Sequence, residues 1–272
     1  MRLEISCWGA EKTDRKTSGE VTRQYNAEEG SAKVVKSLLG GKCDSLANIH
    51  KIAASARQRI KMITLPYDNG CRMIPLNKAN EVLSEFVSLK SKFVEAVRDF
   101  LDEYPRLAEN ARQKLNLLYE ECPSLEEVRS KFSFGMTPRP IPSGTLFDDL
   151  MDDSPLREQL KEMYEEEQLI KAGEAKKELT DRLVNRLEYT IASLTPTESG
   201  KISVREDALA NTKEIMAIVQ GLNVFGDSQI NEGCNSIINT LTYSAKTYRT
   251  EPAIREQTKQ RLTNILEGLT NE

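Results

Sequence analysis

The chain has 272 residues, enough for one large domain or two ordinary ones, and 29% of them are charged against 39% that are apolar. Only 6% are aromatic, which argues against a β-sandwich or a β-barrel. The net charge of −4 excludes a molecule that is drawn to DNA or anionic lipid by its overall field. The composition is typical of long helices with broad solvated faces.

Scattered cysteines and a single histidine limit the chemistry that the chain can carry. The five cysteines have no C-x-x-C pair, so with His50 alone they do not predict a zinc site, and we expect reduced thiols. No segment approaches the ~18 apolar residues of a membrane span, and the first residues lack the apolar region of a signal peptide. We therefore expect a cytoplasmic protein that binds no membrane.

The first 62 residues predict a strand and two helices. Residues 3–8 alternate between apolar and polar side chains, as in a short strand. Residues 11–30 show no periodicity and predict a loop or a mobile arm. An apolar stripe predicts a helix from Ser31 to the glycine pair 40–41, and Asp44 is a good N-cap for a second helix.

The middle of the chain predicts a turn followed by helices. Residues 64–75 contain Asn69-Gly70 between two prolines, which indicates a tight turn or a small hairpin. The next helix has its apolar face over residues 82–101, and we expect Tyr104-Pro105 to break it before a further helix. Ser124 and Glu127 form a capping box for a short helix.

The remaining chain predicts an extended segment, a linker and four helices. Three prolines keep residues 131–142 extended, and their first part can pair with the N-terminal strand. The predicted helices cover residues 155–194, 203–220 (opened by the capping pair Ser203 and Glu206), 228–248 and 252–269. The fold class is therefore mainly α, with long packed amphipathic helices and a small antiparallel β element. The predicted organisation is a helical region at 1–142 that includes the β element, an acidic linker at 143–154, and a C-terminal helical region at 155–272.

Charge is distributed unevenly along the chain. Residues 31–75 contain eight Lys or Arg against two Asp, and residues 146–168 contain nine acids against two cations. One interpretation is that both blocks are solvated faces. The other is that they are docking surfaces of matching sign, for example between neighbouring copies of the chain.

Several kinds of catalytic or binding site are excluded because the sequence lacks residues that they require. The loops around Lys42 and Lys201 lack the glycine and the hydroxyl of a phosphate-binding P-loop, and no G-x-G-x-x-G or G-x-S-x-G occurs. The acids at 148, 149, 152 and 153 suit a divalent cation or, alternatively, a solvated linker. We predict a non-enzymatic protein with no catalytic, cofactor-binding or metal-binding residues.

Binding of single-stranded nucleic acid needs a basic groove with aromatic stacking platforms. The turn at 64–75, with Lys61 just before it, and the extended segment at 129–139 contain both cations and aromatic rings. The alternative is that the phenylalanines belong to the core and that the cations are solvated. The candidate residues are Lys61, Tyr67, Arg72, Arg129, Lys131, Phe132, Phe134 and Arg139.

Three motifs of the chain resemble an uncharacterised family found in bacteriophages and bacterial mobile elements. They are the T-L-P-aromatic-D-x-G-x-R-x-x-P turn at 64–75, F-x-x-A-V-x-x-F-L-x-x-Y-P at 93–105, and K-F-S-F at 131–134. The chain departs from the family at Tyr67, where tryptophan is usual, and at 73–74, where two leucines are usual. The resemblance covers about residues 1–142. It implies a partner role, because some members are encoded near AAA+ ATPases of the MoxR type and von Willebrand A-type proteins.

The sequence therefore leaves two functions open. The first is an oligomeric interaction protein of a phage or mobile element that acts through its helical surfaces in the bacterial cytoplasm. Its partner would be an AAA+ ATPase or a second copy of the chain. The alternative is a protein that binds single-stranded DNA or RNA in phage replication, recombination or transcription.

Overall fold

The computed structural model describes residues 1–119, 122–139, 141 and 155–270, and helices dominate them. This confirms the prediction of a mainly α fold. Short 3-10 turns, Leu76–Lys78 and Asn116–Leu118, flank the third helix. The helices of the described residues are α1 Arg15–Gln24, α2 Asp44–Met62, α3 Ala79–Leu115, α4 Leu125–Ser130, α5 Pro155–Leu194, α6 Glu206–Leu222, α7 Ser228–Thr240, α8 Ala245–Thr250 and α9 Pro252–Thr270.

The β structure of the described residues consists of small two-stranded sheets, β1–β6, β2–β3 and β4–β5. The second and third sheets are antiparallel. The first confirms the predicted pairing between the N-terminal strand and the extended segment, and Ser6 Oγ lies 2.8 Å from Ser133 Oγ. The strands are β1 Arg2–Ser6, β2 Glu11–Thr13, β3 Val35–Ser37, β4 Leu65–Pro66, β5 Arg72–Met73 and β6 Ser133–Thr137.

The chain forms two compact units. The N-terminal unit comprises Leu3–Arg59 and Leu83–Thr137, and the C-terminal unit comprises Met1–Arg2, Ile60–Val82 and Pro138–Glu272. Residues 60–82 therefore belong with the C-terminal helices, although they lie far from them in sequence. The predicted linker at 143–154 lies outside the described residues, and the predicted domain boundary stays a prediction.

The core of the C-terminal unit lies along one face of α5. Leu179, Leu183 and Leu187 recur every four residues and are completely buried, as the apolar spacing predicted. They pack in one cluster with side chains from α6 to α9, among them Met216 and Tyr248. Burying a leucine side chain contributes about 2 kcal/mol, so this face stabilises the unit strongly.

The core of the N-terminal unit is aromatic. The Trp8 ring lies 6.2 Å from the Phe100 ring and 5.8 Å from the Tyr104 ring, measured between centroids. On α2, Ile49 and Ala53 are completely buried. Side-chain hydrogen bonds then join the polar rims of α2 and α3, for example Ser45 to Glu103 and Arg59 to Glu85. Aromatic pairs add to the burial that stabilises this small core.

The predictions for residues 11–39 were wrong. The presumed loop contains β2 and α1, and Asp14 caps α1 by accepting a hydrogen bond from the Thr17 N–H at 2.9 Å. Because α1 is mostly polar, it has no apolar periodicity to detect. The presumed helix from Ser31 contains strand β3, where Val35 pairs with Thr13. Nine residues make a marginal helix, and here pairing with a distant strand outweighs local preference.

The predicted break at Tyr104-Pro105 was also wrong, because α3 continues through Pro105 to Leu115. A proline inside a helix removes one backbone hydrogen bond and costs about 3 kcal/mol. Packing offsets this cost: Leu101 and Tyr104 are buried just before the proline. The Tyr104 hydroxyl also donates to the Pro123 carbonyl at 2.6 Å.

Two details of the C-terminal helices differ from the prediction. Helix α6 begins at Glu206 after Arg205, and the Glu206 carboxylate accepts a hydrogen bond from the Ala245 N–H at 2.6 Å rather than closing a capping box with Ser203. Residues 228–248 form two helices, since Ser244 caps α8 through the Thr247 N–H. By contrast, the α5 bounds and the capping box of Ser124 and Glu127 are confirmed.

Candidate functional site

The motif segment 64–75 forms the β4–β5 hairpin, which confirms the predicted turn. Asn69 and Gly70 have φ values of 43° and 77°, and the Cys71 N–H donates to the Asp68 carbonyl at 2.6 Å. Two successive positive φ angles are what a type I′ hairpin turn requires, and Asn-Gly adopts them at the least steric cost. The sequence therefore fixes this turn locally.

Arg72 on β5 holds the hairpin to its surroundings. Its Nε donates to Thr64 Oγ1 at 2.7 Å, and Nη2 donates to the Thr64 and Lys61 carbonyls at 2.7 and 3.0 Å. Nη2 also lies 3.0 Å from Glu178 Oε1 on α5. Burial lowers the pKa of Arg72, and the Glu178 carboxylate opposes that effect. The guanidinium is thus engaged by protein groups.

Arg182 reaches the same carbonyls from α5. Its guanidinium donates to the Met62 carbonyl at 2.7 Å and also to the Lys61 and Thr64 carbonyls, and it pairs with Glu178. The Lys61 and Met62 carbonyls lie in the last turn of α2, where carbonyls lack partners within the helix, so the two arginines cap it. Desolvation raises the pKa of Glu178, but the hydrogen bonds and charges of Arg182 and Arg72 outweigh it and hold that pKa below its usual range.

The predicted stacking residue Tyr67 is also engaged within the C-terminal unit. Its hydroxyl donates to Gln168 Oε1 at 3.2 Å, and Lys171 Nζ lies 4.8 Å above the ring centroid. Lys171 also pairs with Glu167 at 2.6 Å. One face of the ring therefore already carries a cation–π contact, which is the place where a nucleic-acid base would stack.

The two predicted phenylalanines of the K-F-S-F motif pack in the core of the N-terminal unit. Phe134 is 7% exposed, with its ring centroid 5.5 Å from Phe86 and 5.3 Å from Phe93. Phe132 packs edge-on against Phe100 at 5.8 Å. These positions correspond to the alternative interpretation of the sequence, in which the phenylalanines are core residues.

The remaining predicted residues are exposed cations. Arg129 and Lys131 lie with the two phenylalanines in the N-terminal unit, and Lys61 and Arg139 lie with Tyr67 and Arg72 in the C-terminal unit. The structure brings three of the eight together, because Tyr67, Arg72 and Arg139 line one cavity of about 450 Å³. Nucleic-acid binding itself stays a prediction.

The described residues contain no group of three or more His, Cys, Asp or Glu side chains that could hold a metal ion. The aspartates at 148–153 lie outside them. Burial raises the pKa of the Cys7 and Cys122 thiols, and it raises that of Cys234 to about 12. A thiol with a raised pKa is a weak nucleophile at neutral pH. None of the described helices combines the length and apolarity needed to cross a membrane.

An exposed apolar stripe runs along the first half of α5. Leu156, Met163 and Ile170 are 55%, 65% and 60% exposed. Residues seven apart lie within about 20° of one another around a helix, so the three side chains form one row about 21 Å long. We call these three residues the α5 stripe.

Glutamates flank the α5 stripe. Glu166 and Glu167 lie one turn from both Met163 and Ile170, and Glu174 lies one turn beyond Ile170. Glu167 is paired with Lys171, but Glu166 and Glu174 have no ion-pair partner among the described residues. The stripe therefore combines exposed apolar side chains with uncompensated negative charge.

A model of the family described as "Protein of unknown function (DUF3150)" matches residues 1–265, which is nearly the whole chain. The chain belongs to this family. No curated protein and no solved structure matches it. The DUF3150 family description carries no activity, so function has to be argued from the surfaces of the chain.

Sequence reasoning missed two features of this DUF3150 chain. Glu178, which pairs with both Arg72 and Arg182, lies 106 residues from Arg72 in sequence, and no local signal links the two. The α5 stripe has a signal, namely three apolar residues at seven-residue spacing among glutamates. That spacing places the three side chains on one face of the helix, but it does not show whether this face is buried or exposed. The structure shows that it is exposed.

Proposed function

We propose that this DUF3150 protein is a non-enzymatic interaction protein that binds a basic amphipathic helix of a partner protein along the α5 stripe. The observation that carries the proposal is the row of Leu156, Met163 and Ile170, each more than half exposed. Single exposed apolar residues are common on protein surfaces, but three that recur at seven-residue spacing on one face of a helix are typical of a helix-binding face. Its length of about 21 Å corresponds to four turns of a partner helix.

Charge supports a basic partner. A second copy docked through the same stripe would place Glu166 and Glu174 opposite acids of its own kind, which costs free energy. A partner helix with Lys or Arg beside its apolar row would instead pair with these carboxylates. The choice of a basic partner rests on this difference between repulsion from a second copy and attraction to a basic helix. The acidic block at 146–168 then acts as a docking surface rather than as a solvated face.

The resemblance to a phage and mobile-element family supports an AAA+ ATPase of the MoxR type as the source of that helix. Such a partner would place the protein in the bacterial cytoplasm, as part of an assembly of a phage or mobile element. A second copy of the chain and single-stranded nucleic acid are the competing ligands; sedimentation tests the first, and titration with a labelled single-stranded oligonucleotide tests the second.

The first test uses a synthetic peptide probe with isoleucine and leucine at seven-residue spacing and lysines on both flanks. Its binding is measured by fluorescence anisotropy. Met163→Ser with Ile170→Ser removes two large apolar contacts, and we expect a loss of affinity of about thirtyfold or more. The matched control is Leu169→Ser, because Leu169 is 74% exposed but points about 100° away from Ile170. Equal losses in both variants would contradict the proposal.

A second pair of variants tests the charge. Glu166→Lys with Glu174→Lys should weaken binding of the basic peptide and flatten its salt dependence, because the electrostatic attraction is removed. The control Glu165→Lys changes an exposed glutamate away from the stripe and should have the smaller effect. The MoxR-type ATPase encoded beside family members is then tested with the same variants. Self-association in sedimentation that disappears with the stripe variants would instead favour a second copy.

A further inference from the structure

A cavity of about 650 Å³ lies beside α1 in the N-terminal unit. Residues of α1 and of the segment between α1 and β3 line it, and three of them are cations: Arg15, Arg23 and Lys33. One acid, Glu29, also lines the cavity, so the lining has an excess of positive charge. A volume of this size falls in the range of small-molecule sites, about 300–1,000 Å³.

The three cations have no acidic partner among the described residues of the chain. By contrast, Lys36 in the same unit is paired, because its Nζ lies 3.3 Å from Asp14 Oδ2. Arg15 and Arg23 stand eight residues apart on one helix, so their backbones are separated by about 12 Å. Salt screens most of their mutual repulsion at this distance, but three unpaired cations on one lining still give it a positive potential that attracts an anion.

Gly19 gives a second reason to regard the cavity as a site. It lies in the middle of α1, where glycine is the poorest helix former after proline. It lines the cavity, and a Cβ at this position would lie 3.8 Å from Arg23 Nη2. A methyl group would fit here in ordinary contact, whereas a longer side chain would extend into the cavity beside the guanidinium.

We infer that this cavity binds a ligand with several phosphate groups, of the size of a nucleoside triphosphate. Guanidinium groups pair with phosphate oxygens through two parallel hydrogen bonds, which suits Arg15 and Arg23. The separation along α1 is too long for one phosphate to bridge fully, so a chain of phosphates fits the three cations better. Thr13 lies on the same lining.

Isothermal titration calorimetry tests this inference with three probes: ATP, inorganic tripolyphosphate and orthophosphate. We expect ATP and tripolyphosphate to bind more tightly than orthophosphate. Arg15→Gln and Arg23→Gln should each weaken ATP by about tenfold, because each loses charge-assisted hydrogen bonds. The matched control is Lys16→Gln, since Lys16 is an exposed cation of the same helix that does not line the cavity.

Two substitutions of Gly19 separate binding from folding. Gly19→Ala should raise the melting temperature and leave ATP affinity within about threefold, because alanine favours the helix and adds little volume. Gly19→Glu should also favour the helix but place a carboxylate beside Arg23, and it should abolish ATP binding. Unchanged binding in Gly19→Glu or in the arginine variants would overturn the inference. A single-stranded oligonucleotide that competes for these residues more tightly than ATP would overturn the small-ligand assignment.

Discussion

Neutralising Glu178 should destabilise the C-terminal unit more than neutralising any other carboxylate of α5. The Glu178 carboxylate faces Arg72 at 3.0 Å and pairs with Arg182, and its side chain is 23% exposed. Glu178→Gln keeps the size of the side chain but leaves two largely buried guanidinium groups without a counter-charge. The arginines still bind the carbonyls at the end of α2, so their mutual repulsion is retained.

The size of the effect follows from the burial of the group. Removing one partner of a buried ion pair costs about 3–5 kcal/mol. Glu178 retains some contact with water, and glutamine still accepts one hydrogen bond from an arginine. We therefore expect Glu178→Gln to lower the free energy of unfolding by about 2–3 kcal/mol.

Urea denaturation followed by circular dichroism measures this loss. The matched control is Glu174→Gln, which makes the same change one turn earlier at an exposed position without an ion-pair partner among the described residues. It should change the free energy of unfolding by less than about 0.5 kcal/mol. If Glu178→Gln were as mild as this control, the reasoning about the two arginines would be refuted.

The same network predicts a pH dependence. The pKa of Glu178 is lowered in the folded protein, so its contribution to stability is present above the pKa of an unfolded glutamate. That contribution is lost as the pH falls through the lowered pKa of the folded state. Urea titrations at a series of acidic pH values should show this slope in the wild type. Glu178→Gln should lack this component, while Glu174→Gln should keep it.

Two further predictions concern α3 and α4. Pro105→Ala restores a backbone hydrogen bond at an exposed position inside α3 and should raise the free energy of unfolding by about 2 kcal/mol, after the loss of proline rigidity in the unfolded chain. Ser124→Ala removes the side-chain cap of α4 and should cost about 1 kcal/mol. Urea denaturation measures both. A destabilised Pro105→Ala variant or a neutral Ser124→Ala variant would contradict the respective account.

The parts of the fold that sequence predicted depend on local chemistry. The Asn69-Gly70 turn, the capping box of Ser124 and Glu127, and the start of α5 at Pro155 are each fixed by residues within one or two turns. The parts that it missed depend on distant partners. Strand β3 exists because Val35 pairs with Thr13, and α3 passes Pro105 because its neighbours are buried. No periodicity within a short window contains that information.

At the candidate site, too, the sequence shows the residue types but not the contacts that they already make. Tyr67 and Arg72 were chosen for side chains that nucleic-acid binding requires, but residue type does not reveal whether a ring or a guanidinium is already in use. The structure shows Arg72 bound to Glu178 and the Tyr67 ring covered by Lys171. The motif residues at 64–75 that carry the resemblance to other chains thus hold the hairpin in place.

Lys61 and Arg72 therefore separate a nucleic-acid surface from a structural role. The Lys61 side chain is exposed, and only its backbone carbonyl binds the two arginines. Lys61→Glu should leave the free energy of unfolding within about 0.5 kcal/mol of the wild type, because those contacts do not depend on the side chain. Arg72→Glu should destabilise the protein by about 3 kcal/mol or more, since it places a second carboxylate beside Glu178. If single-stranded DNA binds, measured by anisotropy at two salt concentrations, its loss in Lys61→Glu alone reports on a surface contact. A loss confined to Arg72→Glu reports on the fold, and it would remove this segment from the nucleic-acid hypothesis.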